Sequence, residues 1–255
     1  MKRKTCGPVE HLPIDPSSPW WGEHRARYRY AQAHVRDRQV LDIACGSGFG
    51  CIMLSEAKAK FVIGVDIEME VVVTAQRHLS FPGVRFIRGN GTALPFMDSI
   101  FDIVTSFETL EHIADYETFL CEVRRVTSKD GCLVLSTPNA LVTTRYPRNP
   151  YHIYEFTPTE LYDLLSKFYK SVNIYGQFLT PHYRIAPFIP GREHLETVSN
   201  RIRLLFWKVG NRLPFRIRDF LAITLTGKHF YPTEADYYFD TNIDNAHVLL
   251  AFCHA

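Results

Sequence analysis

Long apolar runs are missing from this 255-residue chain. Nothing approaches the roughly 18 consecutive residues that a membrane-spanning helix needs. The N-terminus, MKRKTCGPVEHLPIDP, is basic but has no apolar stretch behind the charges, so it does not read as a secretory signal and a cytoplasmic location is expected. Cysteine is sparse. The six residues Cys6, Cys45, Cys51, Cys121, Cys132 and Cys253 form no CxxC pair. That argues against a zinc ribbon or a disulfide scaffold and for reduced thiols. Internal repeats and low-complexity segments are also lacking, and an excess of charge of one sign is absent, with 29 Lys+Arg against 27 Asp+Glu. A polyanionic partner is therefore not demanded by net charge. The charge is uneven, however: residues 181–230 hold nine basic and three acidic residues, a basic segment on a slightly acidic body. An anionic ligand, a nucleic acid, a membrane surface or simply a solvated helical face would each account for it.

What is present is alternation. RQVLDIACG (38–46), KFVIGVDI (60–67), VRFIRG (84–89), FDIVTSF (101–107) and GCLVLSTP (131–138) are short β-branched, apolar runs. Helical text lies between them. Tyr116, Phe119, Leu120, Val123 and Val126 share one face, as do Leu161, Leu164, Leu165 and Phe168 after the T-P-T-E cap at Thr157. Strands without a polar face, alternating with helices, predict a doubly wound α/β domain with a largely parallel sheet. KSVNIYGQF (170–178) and AHVLLAFCH (246–254) add two strands. Between them lies an insertion, 180–245, too long for a bare loop. Its stripe Leu195, Val198, Ile202, Leu205, Phe206 and Val209, together with LPFRIRDFLAITL (213–225), predicts a helical cap or a dimer contact within a single domain spanning 1–255.

The turn VLDIACGSGFG (40–50) joins a buried strand to a helix. Glycines there let a ligand approach the backbone at a helix N-terminus. The next strand ends in Asp66, twenty residues beyond Gly46, where a carboxylate can accept both hydroxyls of a ribose. A second cluster follows the fourth strand. In FETLEHI, Glu108, Glu111 and His112 stand at i, i+3 and i+4 and would share a face of a helical turn. Two carboxylates and an imidazole can hold a hard divalent ion such as Mg2+ or Mn2+. They can equally orient a loop without one.

VLDIACGSGFG, VIGVDIE, RGNGTALPF, FDIVTSFETLEHI and GCLVLSTPN, in that order, resemble the class I S-adenosylmethionine-dependent methyltransferases over about residues 24–178 and the last strand. The resemblance implies a Rossmann-like seven-stranded sheet of order 3-2-1-4-5-7-6 with an antiparallel final strand. It also implies a cofactor pocket built by 42–50, 66–67, 90–91 and 106–107. Asp42, Ala44, Gly46 and Gly48 would lie by the methionine part, Asp66 on the ribose, and Ile67 on adenine. Asn90 stands where the family usually has Asp, and Gly91 and Phe107 complete the wall. His24, Arg27 and Tyr28 fall on an N-terminal helix that in this family commonly covers the cofactor. ExxEH followed by His152 in RNPYHIYEFTPTEL resembles the metal site of small-RNA 3′-terminal 2′-O-methyltransferases, which makes Glu108, Glu111, His112 and His152 candidate ligands. NPYHIYEFTP and WGEHRARYRYA also look like methyltransferases of bacterial polysaccharide and glycolipid pathways.

These likenesses lead to an expected O-methyltransferase acting on a saccharide or glycoside hydroxyl, with a metal chelating a vicinal diol. His152, Glu111 and His112 would be the catalytic set, with His152 either a fourth ligand or the general base. RNA 2′-O-methylation and catechol-type O-methylation are the alternatives, and a non-catalytic cofactor-binding partner is a third. The expected partner is a small-molecule or glycan acceptor, with nucleic acid second and a homodimer open.

Overall fold

Runs of Val, Ile and Leu with no polar face must be covered on both sides, and the chain achieves this by lining them up as the centre of one sheet. A computed structural model describes residues 17–144, 149–180, 210 and 212–255. Strands β1 (Gln39–Ile43), β2 (Phe61–Asp66), β3 (Val84–Arg88), β4 (Phe101–Phe107) and β5 (Thr127–Pro138) are parallel neighbours in the order β3-β2-β1-β4-β5. β6 (Ser171–Leu179), β7 (Tyr237–Asp240) and the C-terminal β8 (Val248–His254) complete the sheet as β5-β8-β6-β7. β8 enters between β5 and β6 and runs antiparallel to both. This is the expected order, including the reversed final strand.

One correction concerns strand number. The sheet has eight strands, not seven, because Tyr237–Asp240 pairs antiparallel with Gly176–Leu179 at the edge. This four-residue strand lies inside the segment expected to be helical. Its pattern of half-buried and exposed residues is that of an edge that covers little core.

Helices coat both faces. α1 (Trp21–Gln32), α2 (Phe49–Glu56) and α3 (Met69–His78) place Tyr28, Leu54 and Val72 on one side. α4 (Tyr116–Val126) and α6 (Pro158–Leu165) place Phe119, Leu120, Val123, Leu161 and Leu165 on the other, all fully buried. Each such side chain contributes about 1.5–3 kcal/mol relative to exposure. α6 opens with the capping box read from T-P-T-E, in which Thr157 accepts from the Glu160 backbone while the Glu160 side chain accepts from Thr157. α5 (Ala140–Thr143) and α7 (Phe215–Thr226) complete the helices in the described residues.

Within the insertion, α7 matches the helix expected over 213–225 and rests through Ala222 against Phe230, Tyr231 and Leu179. The stripe from Leu195 to Val209 lies outside the described residues. After α7 the chain returns under α1. A Cβ on Gly22 would come within 2.1 Å of the Pro232 carbonyl oxygen, so the helix and this returning segment touch backbone to backbone. Arg25 and Glu234 are bridged at 2.9 Å across the same seam. The five cysteines among the described residues are free thiols. Among those residues no helix is long and apolar enough to cross a membrane.

Candidate active site

The glycine turn leaves β1 through residues that the backbone forces into the left-handed region. Ala44 has φ +58°, Gly46 φ +53° and Gly48 φ +80°. The glycines differ in what they face. A Cβ on Gly46 would meet nothing within 4 Å, so this position opens on free space. A Cβ on Gly48 would strike the Phe86 ring at 2.6 Å, and one on Gly50 would strike the Tyr28 ring at 2.0 Å. Gly46 is therefore the residue over which a ligand can lie against the backbone, and the other two let α2 pack.

Asp66, at the tip of β2, accepts from the Gly46 backbone N–H at 2.9 Å and the Glu68 N–H at 3.0 Å. Those bonds lock the carboxylate beside the open glycine. Ile67 follows it and is 41% exposed, an apolar surface free to take a flat ring. Asn90 sits at the next strand end, but its side-chain oxygen is shared by the Thr92 backbone N–H and hydroxyl at 3.0 and 2.9 Å. The oxygen expected to read an adenine amino group is thus engaged in turn chemistry. Gly91 is set by packing, since a Cβ there would meet Phe119 at 2.8 Å.

Asp42 lies beneath the turn rather than on its open face. It is wholly buried and accepts from Thr105 Oγ1 at 2.6 Å, Tyr28 Oη at 3.0 Å and Cys51 Sγ at 3.3 Å. Burial pushes its carboxyl up to about 6, against the pull of those three donors. Phe107 packs edge-on to Tyr28 with ring centres 4.9 Å apart, so α1, the turn and the end of β4 form one rigid unit. His24 on the same helix is held well below its ordinary pKa by burial and then by the Arg27 charge. Arg27 itself is buried and donates to Gln177 at 2.8 Å and Glu23 at 3.4 Å.

The acidic and imidazole residues gather past the end of β4. Glu108 takes φ +50° and accepts from the Ser136 hydroxyl at 2.7 Å, with the Arg27 guanidinium 3.9 Å away. Leu110–His112 make a single 3-10 turn, which brings Glu111, His112 and the distant His152 together with ligand atoms within 4.8 Å of one another. Backbone bonds explain how His152 arrives. The Glu111 carbonyl accepts from the Ile153 and Tyr154 N–H groups at 2.7 and 3.2 Å, pinning the later loop onto the ExxEH turn. Glu108 is not one of that group.

Glu111 is 1% exposed. One carboxylate oxygen accepts from Thr137 at 3.0 Å, while Oε1 has no hydrogen-bond partner. Desolvation, followed by the neighbouring Glu108 charge, raises its pKa well above the carboxylate range. A buried, orphaned oxygen of this kind fits a cation or a proton. His112 has its Nδ1 3.0 Å from the Tyr151 carbonyl, which can only accept, so Nδ1 carries the hydrogen and Nε2 offers a lone pair 4.0 Å from Glu111. His152 is tied through Nδ1 to Glu155, and its Nε2 lies 3.0 Å from the Asn149 amide nitrogen. Glu155 was not singled out from the sequence, although its i+3 spacing from His152 in HIYE is the signal that could have found it. Thr105 and Thr137 carried no such signal, because hydroxyls inside apolar strands read as ordinary β residues.

Residues 41–135 match the family model described as a methyltransferase domain. That match covers 95 of the 255 residues. The domain holds both the glycine turn and the ExxEH cluster. A Mycolicibacterium smegmatis protein named "probable S-adenosylmethionine-dependent methyltransferase" is 32% identical over 149 residues, 57% of this chain and 57% of that protein. The ubiquinone biosynthesis O-methyltransferase of Azorhizobium caulinodans is 34% identical over 113 residues, 42% of this chain and 43% of that protein. The matches thus span only about half the length of these curated relatives. A solved S-adenosylmethionine-dependent methyltransferase from Thermotoga maritima shares the fold, with a TM-score of 0.60 at 15% identity over 92% of this chain and 90% of its own.

Proposed function

We propose that the protein is an S-adenosylmethionine-dependent O-methyltransferase acting on a saccharide or glycoside hydroxyl, with a divalent cation held by Glu111, His112 and His152. The observation that carries this reading is the buried Glu111 with its unpartnered Oε1 facing two imidazoles at the carboxyl end of β4. The methyltransferase-domain match and the open cradle over Gly46 beside Asp66 support S-adenosylmethionine as the donor. Bound there, it would supply an electrophilic sulfonium methyl group. A divalent ion would supply Lewis acidity to two adjacent hydroxyls.

The chain's own residues then have defined tasks. Asp66 fixes the ribose by charge-assisted hydrogen bonds, and Ile67 packs on the purine. The acceptor hydroxyl must lose its proton as its oxygen takes the methyl group. With the cation bound, Nε2 of His152 would exchange its Asn149 contact for the ion, its ring oriented by Glu155 at Nδ1, and the acceptor's proton, made more acidic by the cation, would leave to water. Glu108, braced by Ser136 and Arg27, adds negative charge beside Glu111 without sharing the three-residue group. A catechol-type acceptor is a second reading, favoured by the ubiquinone-pathway relative and by the same pair of adjacent oxygens.

The test is transfer of labelled methyl from S-adenosylmethionine to monosaccharides, glycosides, catechols and short RNAs, each with and without EDTA. Transfer to diol-bearing glycosides, abolished by EDTA and restored by Mg2+ or Mn2+, is the expected result. Glu111→Ala should lose turnover by about 100-fold or more while still binding S-adenosylmethionine. Full turnover in excess EDTA would remove the metal and leave His152 as a metal-free base. Turnover of catechols alone would favour the second reading.

A further inference from the structure

α7 exposes the wrong face for a helix of a water-soluble domain. Ile217, Phe220, Leu221 and Leu225 recur at i, i+3, i+4 and i+8, one continuous stripe, and they are 50%, 69%, 38% and 64% exposed. Leu213, two residues before the helix, adds another apolar side chain at 37% exposed. The opposite face makes the contacts to the protein: Phe215 and Ala222 pack on Phe230, Tyr231 and Leu179. Monomeric soluble proteins rarely leave so many large apolar side chains contiguous in water, and such patches mark interaction sites.

The charges around the stripe say which kind of surface it fits. Arg212, three residues before the helix, and Arg216, one turn before Phe220, are both exposed. Asp219, the only acidic residue of α7, is turned the other way, 3.1 Å from the His229 ring and accepting from the Phe230 backbone N–H at 2.8 Å. The exposed face is therefore apolar and cationic, with no carboxylate. We propose that α7 is a surface-docking helix that lies on an anionic lipid bilayer, its stripe in the acyl boundary and Arg212 and Arg216 among the headgroups. At 12 residues the helix is about 18 Å long, which suits lying in the interface and not crossing it.

Its position gives the docking a use. β5 and β6 both run antiparallel to β8, so the carboxyl ends of β4, β5 and β6 lie at one end of the sheet. Leu179, the last residue of β6, is part of the seat of α7, while Glu111 follows β4 at the same end. A bilayer under α7 faces the end of the domain where the carboxylate–imidazole group lies. The docking itself does not depend on which acceptor that group serves.

The experiment is co-sedimentation of the full chain with phosphatidylcholine vesicles, with and without phosphatidylglycerol, alongside sedimentation velocity without lipid. The chain should bind the phosphatidylglycerol vesicles, weakly bind pure phosphatidylcholine, and dissociate as salt rises. Arg212→Gln with Arg216→Gln should weaken binding roughly 25-fold, the product of about fivefold for each cation. Phe220→Ser with Leu225→Ser should abolish it, whereas Met97→Ser, at an exposed apolar residue elsewhere, should not change it. Melting temperatures control for folding, and if the serine pair melts early the arginine pair decides. Absence of binding to phosphatidylglycerol vesicles, or binding unchanged in the arginine pair, would overturn the proposal. A dimer that the serine pair dissociates would overturn it in favour of a second copy of the chain.

Discussion

Asp42 shows how the setting of a single residue changes its job. The family resemblance puts it by the methionine part of a cofactor. The structure shows it fully buried, a strut joining α1, α2 and β4 through Tyr28, Cys51 and Thr105. Its folded pKa of about 6 lies above the ordinary carboxylate value, so the folded state favours the protonated form. The stability that follows is fully present below about pH 4 and is lost as pH rises through about 6. Wild type should therefore lose about 2–3 kcal/mol relative to Asp42→Asn between those limits, read from urea melts of both proteins at pH 4, 5, 6 and 7. Parallel curves at all four pH values would show that Asp42 titrates normally. Placements were legible where type and spacing both spoke, as for Asp66 beside the glycine turn and Glu111 next to His112, but not for Glu108, which stands outside the three-residue group. They were illegible where burial decided, as for Asp42, or where a partner comes from another strand, as Thr137 does for Glu111.

Elements were easier to read than residues. The parallel strands have no polar face, the helices α4 and α6 keep one apolar stripe each, and the cap at Thr157 announces itself. β7 escaped because four residues at an edge bury too little to leave a pattern. The contact of α1 with α2 rests on a glycine whose role is packing, since Gly50 lies under the Tyr28 ring with no room for a methyl group. Gly50→Ala should push Tyr28 off Asp42 and Phe107 and destabilise the fold by about 1–3 kcal/mol, as overpacking does. Thermal melts of the variant check this, and an unchanged melting temperature would mean that α1 can shift without cost.

At the scale of the whole molecule the end of the insertion is not a separate body. β7 pairs with β6, Gly22 meets Pro232, and Arg25 bridges to Glu234, so the chain from about 230 onward closes the same sheet that carries the site. The sheet order was legible because five short motifs fall in register. The meeting of His152 with Glu111 was less so, because the loop that carries it is held by backbone bonds to the Glu111 carbonyl that no periodicity encodes. The central claim is that the cradle over Gly46, beside Asp66, takes S-adenosylmethionine. Isothermal titration of wild type and Asp66→Ala with S-adenosylmethionine tests it most directly. Wild type should bind one equivalent, and the variant should bind at least about tenfold more weakly, since each charge-assisted bond to the ribose contributes about 1.5–3 kcal/mol. No binding by the folded wild type, or equal affinity in both proteins, would contradict the account.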